Sequence, residues 1–340
     1  MSSTRTIKAI GIKSQGELDV IEELELSAPT PRDDQVVIKV EYAGVNFIDT
    51  YERAGVYKVT AFPKILGKEA AGTVISLPTS RAVTEDNEYQ LRNLAIGDRV
   101  VTIDDGLFAE EIAVPWSKVV KLPDNVTTKV AAASALQGQT AMTFATEAYD
   151  IQKDDIILVY SAAGGVGINL TQIAASRGAT VIATVSSEVK TEVARANGAK
   201  HVINTSEQNV VDEVLKITNR EGVHAVFDGV GKDTFEDNFK IIRRKGTFVS
   251  LGNASGVPPL FQPLRLGEKN IKLVRPRLFG YITTPEEIRT YQNKYDALLG
   301  SGVVKPVIYK EYPFTAEGVK QSQIDITSRG TIGKLILKVA

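Results

Sequence analysis

Short runs in which apolar and polar residues alternate fill the first 42 positions, at 6–12, 17–23 and 35–42 (QVVIKVEY). Turn-forming stretches such as Ser14-Gln15-Gly16 and Pro29-Thr30-Pro31 separate them, so this part of the chain predicts a small β-rich domain. Residues 43–57 (AGVNFIDTYERAGVY) then predict a short helix that carries polar and aromatic groups between glycines. Strands are expected again at 96–101 and 109–114, whereas 78–94 (PTSRAVTEDNEYQLRNL) is charged, lacks a period and reads as an exposed insertion. An Ala-rich helix at 129–136, the stretch Gln137-Gly138-Gln139-Thr140 and a second helix at 141–149 lead into the next domain.

At 155–190 the pattern becomes that of a parallel sheet. The apolar run Ile156-Ile157-Leu158-Val159-Tyr160 predicts a buried strand, and the small residues Ser161-Ala162-Ala163-Gly164-Gly165-Val166-Gly167 end it. From Val166 the apolar positions take helical spacing, through Leu170, Ile173 and Ala174, until Gly178, and a second buried strand at 180–185 follows. Strand, glycine loop, helix and strand within about 30 residues form a βαβ unit, which is parallel and right-handed. Four more buried strands, at 201–204, 224–228, 246–251 and 271–274, bring the set to the six of a doubled βαβαβ fold. Asp233 and Glu236 predict a cap on the helix after the fourth of these. A helix at 285–299, a strand near Val307, a helix at 315–328 and a strand at 334–339 complete the chain.

The glycine loop reads A-x-G-x-x-G, with Ala162 in place of the first glycine of the dinucleotide-binding pattern. Small residues there let a pyrophosphate approach the backbone of Ala163, Gly164, Gly165, Val166 and Gly167, and the amides at the helix N-terminus face it. An NAD site places Asp or Glu at the end of the next strand to hold the ribose 2′-hydroxyl. This chain has Ser186 and Ser187, with Lys190 shortly after. Hydroxyls and an ammonium suit a 2′-phosphate, so the expected cofactor is NADPH.

Composition narrows the remaining chemistry. The 340 residues include 40 basic and 41 acidic ones, a net charge of -1, so no bulk field draws the protein to nucleic acid or membrane. The start, MSSTRTIKAIGIK, has no hydrophobic signal core, and no apolar run approaches a membrane span. The absence of cysteine excludes disulfides, thiol catalysis and thiolate metal sites, and a cytoplasmic location is expected. The two histidines, His201 and His224, each precede a buried strand and read as structural.

The segments AGVNFIDTYERAGVY, PKILGKEAAGTV, IGDRV, LQGQTA and SAAGGVG, then GVGKDTF, SLGNASG, RPRLFGYI and SRGTIGK, resemble the quinone oxidoreductase (zeta-crystallin-like) branch of the medium-chain dehydrogenase/reductase superfamily. The resemblance covers essentially the whole chain. It implies an α/β fold with a six-stranded parallel Rossmann cofactor domain at 131–279. A β-rich, chaperonin-10-like distorted barrel at 1–130 and 280–340 would be the catalytic domain, with the active site between the two. Zinc-dependent relatives carry Cys where this chain has Asn46 and His where it has Lys68, so no metal is expected.

By position, the resemblance assigns Asn46, Tyr51 and Tyr57 to the acceptor and Thr140 to the nicotinamide end of the cofactor. Gly229 and Val230, then Leu251, Gly252 and Asn253, follow the fourth and fifth strands as further cofactor contacts, and Arg329 matches an arginine that reaches the adenosine phosphate or the pyrophosphate. Thr205 stands where close relatives have a tyrosine. The expected activity is zinc-independent NADPH:quinone oxidoreduction, with reduction of α,β-unsaturated carbonyls as the alternative. A homodimer through the sheet edge near 271–274 is expected. Some zeta-crystallin relatives bind AU-rich RNA, and the basic clusters Arg243-Arg244-Lys245 and Arg275-Pro276-Arg277 leave an RNA-binding protein as the non-enzymatic alternative.

Overall fold

Alternation in the N-terminal part gives eight strands: β1 Thr6–Ile12, β2 Ile21–Ser27, β3 Gln35–Val45, β4 Lys64–Ile65, β5 Glu69–Ser76, β6 Arg99–Ile103, β7 Glu111–Pro115 and β8 Val119–Lys121. The computed structural model describes residues 5–340; Met1 to Thr4, the first residues of the polar start, lie outside them. The next six strands are β9 Ile156–Val159, β10 Thr180–Val185, β11 His201–Asn204, β12 Val223–Asp228, β13 Ile242–Ser250 and β14 Lys272–Val274, and β15 Ile308–Pro313 and β16 Lys334–Lys338 close the chain. Two compact units result. One holds the chain up to Leu136 with Ile282–Gly300 and Pro306–Ala340, and the other holds Gln137–Tyr281 with Ser301–Lys305.

In the first unit, β1 pairs antiparallel with β2 and β4, and a larger mixed sheet runs β15-β16-β3-β5-β6-β8, with β7 also paired to β3. The inward residues of these strands, among them Ile10, Ile12, Ile38, Val40, Val74 and Leu337, form one continuous core with Phe108 from the connection between β6 and β7. In the second unit the order is β11-β10-β9-β12-β13-β14, and every neighbouring pair is parallel. This is the order of a doubled mononucleotide-binding fold, in which ligands lie at the carboxyl ends of the strands.

Three local expectations are corrected. Residues 18–20 form a single 3-10 turn, and the strand expected at 17–23 begins only at Ile21. Gln137 to Thr140 are not a break between helices but lie inside the helix Ala135–Thr143, the interruption falling instead near Ala133. The segment 78–94 is folded: it forms the helices Arg81–Thr84 and Asn87–Arg92. Its anchor is Arg92, 5 % exposed, whose guanidinium donates to the carbonyls of Val119, Ser117 and Pro285 at 2.5, 2.8 and 2.7 Å. A buried guanidinium whose terminal nitrogens are held by carbonyls leaves no trace in a polarity profile.

Candidate active site

In the second unit, the loop after β9 turns on Ser161, whose φ of 52° lies in the left-handed region. Its amide donates to Thr184 Oγ1 at 3.2 Å and the Ala162 amide to the Thr184 carbonyl at 3.0 Å. The strained position is therefore Ser161, which explains why Ala162 serves where the pattern has glycine. Gly164 is the N-cap of the helix Gly165–Ser176 and no side chain caps it. Gly167 packs so tightly on the turn that a Cβ would lie 2.4 Å from the Ser161 carbonyl oxygen. Ala163 to Gly167 thus present backbone at an uncapped helix N-terminus, a fitting seat for a diphosphate.

Most of the other residues expected at the cofactor follow the carboxyl ends of strands in the same sheet; Thr140 and Arg329 do not. Ser186 and Ser187 follow β10 directly, and Lys190 lies in the helix Glu188–Ala196 with its Nζ 3.4 Å from Ser186 Oγ. Burial lowers the Lys190 pKa from its ordinary value. A lysine and two seryl groups, with no carboxylate at the strand tip, fit a ribose 2′-phosphate. Gly229 and Val230 follow β12, and Leu251, Gly252 and Asn253 follow β13. Gly252 is glycine because the other loop is close: a Cβ there would meet the Gly229 carbonyl oxygen at 2.6 Å. Thr205 donates its hydroxyl to the Val185 carbonyl at 3.0 Å and ties β11 to β10. Thr140 lies in the helix Ala135–Thr143.

Asp228, which the sequence reading passed over, organises this edge. Its Oδ1 accepts from the Val230 amide at 2.7 Å, and its Oδ2 accepts from Thr234 and Asn238, both at 2.7 Å. Burial raises its pKa while these hydrogen bonds oppose the rise. The cap expected from Asp233 and Glu236 does not form. Thr234 is the N-cap, and Glu236 pairs with Arg265 at 2.7 Å. An aspartate at the end of an apolar strand was the available signal for Asp228.

The first unit holds Asn46, Tyr51, Tyr57 and Arg329. Asn46 precedes the helix Phe47–Ala54, and its backbone amide donates to Asp49 Oδ2 at 2.8 Å. Both hydrogens of its side-chain amide are committed, to Glu69 Oε1 at 2.8 Å and the Gly44 carbonyl at 3.1 Å, and its Oδ1 accepts from Lys334 Nζ at 2.8 Å. Lys334 also pairs with Glu69, and both are buried. The other Glu69 oxygen accepts from the Leu136 amide at 2.8 Å. Burial lowers the Lys334 pKa, with Glu69 opposing it. Asn46 therefore stands in a buried ionic network.

Around this network lie further charges. Asp49 is fully buried, its Oδ1 has no hydrogen-bond partner among the described residues, and burial pushes its pKa up to about 7 against the opposing Asn46 amide and Lys334. Lys68 bridges Glu52 at 2.5 Å and Asp105 at 2.7 Å. Burial alone would lower its pKa, but those two carboxylates outweigh it and the pKa is raised. On the outer face of the helix, Tyr51 packs edge-on against Phe47 and Tyr57, with ring centroids 5.2 and 5.3 Å apart, and Tyr57 is 45 % exposed. Arg329 sits in a turn with φ of 61° between the helix Ala316–Thr327 and β16. His224 accepts from the Ile156 amide at 3.0 Å and its other nitrogen contacts Arg243, so it braces two strands.

Comparisons with known proteins add the following. Residues 32–124 match the family model described as an alcohol dehydrogenase GroES-like domain, and residues 165–293 that of a zinc-binding dehydrogenase. A probable quinone oxidoreductase of Schizosaccharomyces pombe is 36% identical over 329 residues, 96% of each chain. A 2-haloacrylate reductase from a Burkholderia species is 32% identical over 94% of each chain. Among solved structures, that of an Escherichia coli quinone oxidoreductase complexed with NADPH superimposes with a TM-score of 0.89 at 32% identity, covering 97% of this chain and 99% of that one.

Proposed function

The chain belongs to the quinone oxidoreductase family of the medium-chain dehydrogenase/reductase superfamily, and on that premise we propose that it reduces quinones with NADPH. The observation that carries the cofactor part is the carboxyl edge of the parallel sheet, where an uncapped glycine-loop helix N-terminus neighbours a strand tip bearing Ser186, Ser187 and Lys190 in place of a carboxylate. The bound nucleotide supplies a hydride to the acceptor. Backbone amides from Gly165 onward hold its diphosphate, Ser186, Ser187 and Lys190 its 2′-phosphate, and Arg329 is a further contact proposed from its family match.

At the acceptor, the rings of Tyr51 and Tyr57 offer edges and faces on which a flat quinone stacks and from which water is displaced. Asn46, fixed by Lys334 and Glu69, holds the base of that helix. Orientation and exclusion of water are the protein's main contributions to such a transfer. We further propose a homodimer through β14, the terminal strand of its sheet, and a cytoplasmic location, which the cysteine-free composition supports.

A second reading, reduction of an α,β-unsaturated carbonyl, is favoured by the 2-haloacrylate reductase relative. Oxidation of NADPH and NADH with 9,10-phenanthrenequinone and with a simple enone, in the presence of a chelator, separates the two. Chelator-resistant, NADPH-selective turnover of the quinone is the expected result. Turnover of the enone alone would replace the first reading by the second.

A further inference from the structure

We propose that Gln137 is a cofactor-binding residue that contacts the diphosphate-ribose part of the dinucleotide. The A-x-G-x-x-G pattern demands small residues at 162, 164 and 167 but leaves 165 open, and yet 165 is glycine. The structure supplies the reason. A Cβ at Gly165 would lie 2.5 Å from Gln137 Cδ, 2.6 Å from Oε1 and 2.8 Å from Nε2. Three atoms of one amide at nearly equal distance place its plane flat against the Gly165 backbone, at the first turn of the loop helix.

That amide is 9 % exposed at the residue level, and its Oε1 is buried without a hydrogen-bond partner among the described residues. Packing alone would be served better by an apolar side chain of the same volume, since a buried polar oxygen without a donor is unfavourable. A carboxamide offers both a donor and an acceptor. Phosphate oxygens accept from the first, and ribose hydroxyls donate to the second, so the group suits the junction of diphosphate and ribose. This junction is common to NADPH and NADH, which separates the role of Gln137 from that of Lys190. Gly165 is then glycine so that Gln137 can reach the loop.

The inference rests on the NADPH reading, and its test keeps the two apart. NADPH and NADH are titrated onto the unreacted protein by quenching of its fluorescence, with the melting temperature of the free protein recorded alongside. Gln137→Leu, which keeps the volume and removes the polar atoms, is expected to raise Kd for both nucleotides alike by about 5- to 20-fold. Gln137→Glu, isosteric but negative beside a diphosphate, is expected to raise both by more than about tenfold, with the melting temperature of the free variant showing how much of the loss is folding. Kd values within twofold of the parent in both variants overturn the assignment while leaving NADPH as the cofactor. A parent protein that binds neither nucleotide takes down the cofactor reading and this inference together.

Discussion

Around Gly164 to Gly167 the structure works by leaving side chains out. The turn, the uncapped helix start and the approach of Gly229 to Gly252 all depend on glycines at which an added Cβ would collide with its neighbours. Around Asn46 the reverse holds. Glu69 from β5, Lys334 from β16 and Asp49 from the helix itself converge on one asparagine, and a buried ionic network holds the residue that starts the aromatic helix. A backbone site survives most changes to its neighbours but tolerates no added atom. A network of buried charges tolerates changes of shape, yet fails when one partner is removed.

The strongest way to break the comparison is therefore Lys334→Met. Removing one member of a buried pair leaves Glu69 uncompensated and is expected to cost about 3–5 kcal/mol in urea unfolding. Loss of less than about 1 kcal/mol would show that the network is incidental. Lys190→Ala probes the backbone-built site at the lysine of the helix that follows β10. It is expected to raise the apparent KM for NADPH about tenfold, equivalent to loss of one charge-assisted contact, and that for NADH less than twofold. Equal effects on both would remove the 2′-phosphate from its role.

Asp49 sharpens the contrast through pH. Its pKa in the folded state, about 7, lies above the value near 3.9 of an unfolded chain, so the folded form binds the extra proton. The stabilisation this gives is full below about pH 4 and is lost as pH rises through 7. Asp49→Asn cannot titrate, and its stability relative to the parent is expected to improve by about 2–3 kcal/mol between pH 5 and pH 8. An unchanged difference across that range would mean the carboxylate is charged throughout. The smallest effect belongs to Tyr51→Phe, which keeps the ring contacts with Phe47 and Tyr57. The rate on quinone is expected to fall less than about tenfold, and a loss of several orders of magnitude would reveal the hydroxyl as a proton donor.

The same contrast decides what could be read from the chain. The glycine loop, its flanking strands and the six-stranded sheet were legible because a backbone site is written in consecutive residues: small side chains between two apolar runs. Ser186, Ser187 and Lys190 were legible for the same reason, lying a fixed distance along one βαβ unit. The partners of Asn46 were not. Lys334 lies 288 positions away, and in sequence it is one lysine before an apolar strand. Glu69 carried the better signal, an acid followed by Ala70 and Ala71 where a strand has no room for solvent. The two helices within 81–92 were missed because their stability comes from Arg92 and from the pair Glu88–Arg289, contacts that no local period encodes.

Arg92 has one more consequence, for handling the protein at the bench. Since it fastens the end of this appendage to Ser117, Val119 and Pro285, the tip at Glu85 and Asp86 is exposed while its root is locked. A peptide tag or a fluorescent reporter spliced between those two residues enters a hoop whose knot is tied elsewhere.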